Sequence, residues 1–185
     1  MNIMERTAHI SRKTNETNIE LSLNIDGTGL ADISTGIGFF DINLNVQGDL
    51  RVDSHHTVED TGICLGMALS QALSDKAGVT RYGSAVVPMD EVLVLCAVDL
   101  SGRAYLNFDA AFGSEKLGDM EAETVEEFFR AVSQTGGMNV HFKLLAGKNC
   151  HHIAEGLFKA FARALDMACG LDSRVAGVPS TKGVL

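Results

Sequence analysis

The chain has 185 residues, 45% of them hydrophobic and 21% charged, a balance that suits a folded globular protein and excludes a disordered one. Its formal charge of −9 argues against nucleic acid or an anionic membrane as a partner, so an anionic ligand would need a local basic site. No stretch approaches the ~20 apolar residues of a membrane span, and Met1-Asn2-Ile3-Met4-Glu5-Arg6 lacks a signal-peptide core, so a cytoplasmic location is expected.

In chain order, residues 19–25 alternate apolar and polar as a strand does, and Asp26-Gly27 closes that strand as a turn. Residues 42–46 alternate again. Ile63, Leu65, Met67, Leu69 and Leu73 give 57–76 an apolar side and predict a helix. The unbroken apolar run 92–98 predicts a buried strand, and 104–108 the next one after the Ser101-Gly102 turn. Residues 121–133 read as a helix, acidic at its start where the helix dipole favours carboxylates. A strand over 138–142 and a helix over 153–169, ended by Gly170, complete the series. The cysteines Cys64, Cys96, Cys150 and Cys169 have no CxxC spacing, and three lie in apolar surroundings, as buried thiols do in a reducing compartment.

The two halves repeat each other. The segments 42–56 and 138–152 both end in His-His, and both continue x-x-Glu. Upstream, Phe39-Phe40 matches Phe128-Phe129, yet only Asp41 separates Phe40 from Ile42, whereas eight residues separate Phe129 from Met138. The first half therefore lacks the end of a helix and a loop. The pattern predicts an α/β (α+β) duplication, each half a four-stranded sheet with helices on one face, divided as 1–90 (gap near 41) and 91–185.

Four of the six histidines fall in the two copies of His-His-x-x-Glu, His55-His56-Thr57-Val58-Glu59 and His151-His152-Ile153-Ala154-Glu155. Positions i and i+4 share a helix face, so His55 with Glu59, and His151 with Glu155, can each chelate one ion. Adjacent residues point about 100° apart, so His56 and His152 should serve the ion of the opposite motif. His141, on the strand before the second motif, can join one set. A single His-His pair is commonly a capping or surface feature, but two copies at matched positions of a repeat point to metal. Mixed nitrogen and carboxylate ligands suit Mn, Fe, Co or Zn. The order is not His-Glu-x-x-His, so the metalloprotease reading has no general-base glutamate.

Several further segments make the chain resemble the imidazoleglycerol-phosphate dehydratases along almost its whole length. They are Arg12-Lys13-Thr14-Asn15-Glu16-Thr17, Thr35-Gly36-Ile37-Gly38-Phe39-Phe40-Asp41, Asp53-Ser54 with the first histidine motif, and Arg81-Tyr82-Gly83. Pro88-Met89-Asp90-Glu91, Asp99-Leu100-Ser101-Gly102-Arg103, Gly147-Lys148-Asn149-Cys150 with the second motif, and Pro179-Ser180-Thr181-Lys182-Gly183 continue the series. The resemblance implies a fold like the second domain of ribosomal protein S5, and trimers that assemble into a twenty-four-subunit particle with active sites between subunits. It implies two Mn²⁺ per active site, other divalent first-row metals being possible. One would be held by His56, His151 and Glu155, the other by His55, Glu59, His141 and His152. Arg81, Arg103, Ser180, Thr181 and Lys182 match positions around the substrate, chiefly its phosphate, and Glu16 and Asp90 match acidic residues near the reacting carbons. Standing alone, Arg81 and Arg103 would pass for surface ion-pair partners, Glu16 for a solvated strand residue, and the tail for a frayed terminus.

In one place the chain departs from the family pattern, which continues after Phe-Phe-Asp with His-Met-Leu and about a dozen more residues. Here Asp41 runs directly into Ile42, and a ligand histidine of the first metal is absent. That segment is expected to be mobile without metal, and to be missing from this sequence rather than from the natural protein. A chain break between Phe40 and Ile42 would show it.

The implied substrate explains the implied site. Each imidazole nitrogen can bind a metal, so two ions can hold the ring as an imidazolate that expels the hydroxyl on the attached carbon. Glu16 or Asp90 would take the proton from the next carbon, and the enol would become the ketone imidazole-acetol phosphate, completing a step of histidine biosynthesis. Two alternatives are a di-metal hydrolase with a bridging water and a non-catalytic metal-binding shell. The first wants its metals about 3.5–4 Å apart, and the second leaves the phosphate-binding residues unexplained.

Overall fold

Alternation of apolar and polar residues builds the paired strands. The computed structural model of the chain describes residues 6–28, 31–32, 41–49, 54–181, 183 and 185. In β2 (Thr17–Asn24), Thr17, Ile19, Leu21 and Leu23 are buried while Asn18, Glu20 and Ser22 face solvent, as expected of a strand covered on one side. β1 (Thr7–Lys13) and β4 (Asp41–Gly48) flank it antiparallel, and the short β3 (Ala31–Asp32) runs parallel to β4, giving the order β1-β2-β4-β3.

β5 (Tyr82–Met89), β6 (Val92–Asp99), β7 (Tyr105–Asp109) and β10 (Asn139–Ala146) repeat that plan in the order β5-β6-β10-β7, with β7 parallel to β10. α1 (His55–Leu73) follows the fourth strand of the first sheet, and α3 (Cys150–Cys169) follows that of the second. The expected α/β (α+β) duplication is therefore visible in strand order, strand direction and the position of the following helix. Because β5 pairs with β6, the strand pairing changes sheets before residue 82 and not at 90–91.

Between β7 and β10 lie the hairpin β8 (Lys116–Leu117) and β9 (Met120–Glu121), and then α2 (Glu123–Gly136). Between β3 and β4 lie only residues 33–40, too few for a counterpart of the 14-residue α2. They are also fewer than the dozen or more residues that a crossover between parallel strands ordinarily takes. Phe39 and Phe40 lie outside the described residues, and so does the break expected between Phe40 and Ile42.

α1 lies on β1 and β2 with α2 against its other side, and α3 covers β5 and β6. α1 and α2 approach closely at Gly66, where a Cβ would sit 2.7 Å from the Val132 carbonyl oxygen. Phe129 and Phe142 are fully buried, with ring centroids 4.5 Å apart, and Phe108 and Phe161 pack beside them. Cys64, Cys96 and Cys169 are buried free thiols, as expected, and burial pushes the Cys169 thiol up to about 12.

Candidate active site

Both helices that carry the histidine motifs begin at or just before them. α3 starts where Asn149, in an extended conformation, accepts hydrogen bonds from the backbone N–H groups of His151 (3.0 Å) and His152 (3.2 Å), an Asn cap of the usual kind. α1 starts at His55 after Ser54, whose hydroxyl donates to Glu121 (2.8 Å) instead of capping the helix. Both helices thus begin earlier than the apolar periodicity predicts, because their first turns are made of ligand-type residues. Each His-His pair now lies within a helical turn.

That placement gives the expected pairs. His55 Nε2 lies 3.9 Å from Glu59 Oε2, and His151 Nε2 lies 3.6 Å from Glu155 Oε2, spacings that a single ion could bridge after a small side-chain adjustment. Adjacent rings diverge, with centroids 6.1 Å apart in both pairs and interplanar angles of 85° and 65°. Lys159 bonds Glu155 and holds its carboxyl below the usual range.

His56 and His152 face other partners. His56 Nδ1 is 3.7 Å from Glu16, in the turn between β1 and β2. His152 lies against the turn between β5 and β6, with Nδ1 2.8 Å from Glu91 Oε2 and Nε2 3.6 Å from Asp90 Oδ2. The Glu91 hydrogen bond raises the His152 pKa, and the same bond, with backbone N–H donors, holds Glu91 at about 2. Both expected proton-transfer residues, Glu16 and Asp90, therefore lie beside the second histidine of a motif.

His141 stands apart. Val140 and Phe142 point from β10 into the core, so His141 faces the opposite side of the sheet, with its ring 5.4 Å from Tyr105. Among the described residues, no three His, Cys, Asp or Glu side chains converge as a metal cluster within the chain. Each motif thus brings one His and one Glu, both of metal-ligand type, within 4 Å of each other, two groups where a bound ion takes at least three.

A basic cleft of about 670 Å³ forms elsewhere, lined by Arg81, Tyr82, Ser101, Arg103, Pro179, Ser180, Thr181 and Leu185, a size suited to a small molecule. The expected phosphate residues Arg81, Arg103, Ser180 and Thr181 thus share one cavity, while Lys182 lies outside the described residues. Arg81, at φ +73°, donates Nε (2.8 Å) and Nη2 (3.3 Å) to Asp99 and Nη1 to the Pro179 carbonyl (2.8 Å). These bonds tie the tail to the sheet and use part of Arg81's donor set, as an ion-pair partner would. Gly102 turns the chain at φ +73°, and a Cβ there would sit 2.2 Å from the Leu185 backbone.

The residue-by-residue reading gave no role to Glu91 or Asp99. Glu91 stands in the Pro88-Met89-Asp90-Glu91 segment, directly before the buried strand β6, but nothing in the sequence marks its reach to the start of α3. Asp99 ends an apolar run, and nothing in the sequence marks its pairing with Arg81.

The chain matches the family described as imidazoleglycerol-phosphate dehydratase over residues 30–165. An imidazoleglycerol-phosphate dehydratase from Lachnoclostridium phytofermentans is 59% identical, with 98% of this chain and 100% of the relative covered. One from Acetivibrio thermocellus is 57% identical at the same coverage. The crystal structure of the Staphylococcus aureus imidazoleglycerol-phosphate dehydratase is similar with a TM-score of 0.78 at 37% identity, covering 90% of this chain and 99% of that one. The Pyrococcus furiosus enzyme in complex with (S)-C348 gives 0.77 at 33%, covering 95% and 100%. The Lachnoclostridium alignment spans 195 positions against 185 residues here, so at least ten positions of the relative face no residue of this chain. Nearly all of both chains align, which makes the shortfall internal.

Proposed function

We propose how a chain that belongs to the imidazoleglycerol-phosphate dehydratase family builds its active site: from two half-sites that a neighbouring copy completes. The chain is a carbon–oxygen lyase that dehydrates imidazoleglycerol phosphate in histidine biosynthesis, and its family is metal-dependent. The observation that carries the proposal is the pair of His–Glu chelates at 3.9 and 3.6 Å, without a third converging ligand among the described residues of one chain.

Two Mn²⁺ ions per site suit the donor set. One would take His56, His151 and Glu155, and the other His55, Glu59, His141 and His152. The outward direction of His141 supports a contribution to a neighbouring copy's site. Bound Mn²⁺ would supply Lewis-acid polarisation of the imidazole nitrogens of the substrate.

The chain's own residues do the rest. Arg103, Ser180, Thr181 and Lys182, with the donors of Arg81 that Asp99 and Pro179 leave over, bind the phosphate and fix the orientation of the reacting carbons. Glu16 and Asp90 exchange the protons. One proton leaves the carbon beyond the carbinol, the hydroxyl departs as water, and the resulting enol becomes the ketone imidazole-acetol phosphate.

Self-association is part of this reading, as a trimer that assembles to twenty-four subunits with metal. The outer faces of the two sheets differ, and this supports it. The first presents His9, Ser11, Asn18, Glu20 and Ser22 to solvent. The second exposes Tyr82 (57%), Val86 (54%) and Tyr105 (56%) beside half-buried Leu93 and Leu95, an apolar patch that suits another copy. The repeat units are one ending with α1 and one beginning with β5. No helix among the described residues is long and apolar enough to cross a membrane, and we place the enzyme in the cytoplasm.

The test is release of imidazole-acetol phosphate from imidazoleglycerol phosphate. Mn²⁺-loaded protein should form the ketone, and chelator-stripped protein, His55→Ala and His151→Ala should not. Undiminished turnover after stripping would remove the metal from the mechanism.

A further inference from the structure

We propose that Glu91 is a positioning residue that orients His152 for metal, an inference that rests on the metal reading above. Glu91 stands in the tight turn between β5 and β6, directly before Val92. Its two carboxylate oxygens reach two points at the start of α3. Oε1 accepts the Asn149 backbone N–H at 3.0 Å, and Oε2 accepts from His152 Nδ1 at 2.8 Å. Asn149 in turn caps the helix through the N–H groups of His151 and His152. Turn, cap and imidazole form one hydrogen-bonded unit.

This unit selects the nitrogen that can bind an ion. An imidazole donating Nδ1–H to a carboxylate carries its lone pair on Nε2, and the carboxylate makes that nitrogen a better ligand. Asp90 lies on the Nε2 side, at 3.6 Å, so the two adjacent acids have different tasks. Asp90 faces the reacting side of His152, and Glu91 holds its far side.

The duplication supplies an independent observation. Glu16 directly precedes Thr17, the first residue of β2, as Glu91 precedes the first residue of β6. Glu16 Oε2 lies 3.7 Å from His56, again at Nδ1. In both halves, a glutamate before the second strand lies nearest the same nitrogen of the second histidine of a motif, within hydrogen-bond distance for Glu91 and beyond it for Glu16, whose carboxylate is left for proton transfer. An incidental surface ion pair would have no reason to recur at matched positions.

The test titrates Mn²⁺ into the full-length apoprotein, wild type, Glu91→Ala and Glu91→Gln, by calorimetry and by the EPR signal of free Mn²⁺. Removing an orienting carboxylate should weaken one of the sites by about 10–100-fold, while saturating Mn²⁺ restores the wild-type stoichiometry. Glu91→Gln keeps an acceptor for Nδ1–H and should fall between the two. Wild-type affinity in Glu91→Ala, with only a lower melting temperature, would overturn the inference as merely structural. A site that saturating Mn²⁺ cannot refill in either variant would overturn it by making Glu91 a ligand. If wild-type protein binds no Mn²⁺, the metal reading fails and this inference fails with it. Tight wild-type binding with an unaffected Glu91→Ala removes this inference alone.

Discussion

Asp99 decides what Arg81 can offer a phosphate. Its two bonds take Nε and one Nη2 hydrogen, and the Pro179 carbonyl takes a hydrogen on Nη1, leaving two of five donors for a ligand. Arg103, in the same cleft, is exposed and has its backbone in the Ser101–Arg103 turn. A charge-assisted contact contributes about 1.5–3 kcal/mol, so Arg103→Ala should raise KM for imidazoleglycerol phosphate by roughly 10–150-fold. Metal content should be unchanged, and steady-state kinetics with metal analysis checks both. Asp99→Asn should also raise KM by loosening Arg81 and the tail, with kcat nearly unchanged. Equal KM in both variants and wild type would show that the cleft is not the phosphate site. The arginines were legible in the sequence through their motifs, and Asp99 stands in the same motif as Arg103, but its pairing with Arg81 was not legible, because an ion pair between residues eighteen positions apart depends on strand register.

At the scale of elements, the repeat could be read in the chain because buried strands and ligand-bearing helices recur in matched order. The sequence showed β2 through its clean alternation and β6 through its unbroken apolar run. It missed β1 and β5, whose signals were weaker: β5 holds Gly83 and Pro88, and β1 carries His9, Ser11 and Arg12. It also began α1 and α3 too late, since polar ligand residues in a first helical turn show no apolar period. Phe129, from α2, fills the space between β10 and α3, so Phe129→Ala should cost about 3–5 kcal/mol in a denaturant titration. A second element-scale contact is Arg6–Asp26, which joins the lead into β1 to the turn after β2. The Arg6 hydrogen bond lowers the Asp26 pKa below its ordinary 3.8. Its contribution is therefore fully present above that value and is lost as pH falls through the lowered one. Wild type and Asp26→Asn should differ in Tm at pH 6 and converge as the pH drops below about 4; a constant difference would assign the pair no linkage.

For the whole molecule, the short connection over 33–40 and the half-sites bear on the same question. We propose that the natural chain carries a further segment between β3 and β4, because ten or more positions of a relative face no residue of this chain and parallel strands are usually joined by more residues than lie between these two. Intact mass checks it: 19.7 kDa would mean a true deletion, and a value larger by about a kilodalton or more would mean a longer natural chain. Metal loading should convert trimers into the larger particle, which light scattering with and without chelator follows. The most direct test of a site shared between copies mixes two inactive variants, His55→Ala/Glu59→Ala and His151→Ala/Glu155→Ala, by co-expression in equal amounts. Sites drawing one motif from each of two chains should regain roughly a quarter of wild-type activity through random pairing in a closed assembly. No activity in the co-assembled mixture would mean that both motifs of a site come from a single chain, and the half-site account would be wrong.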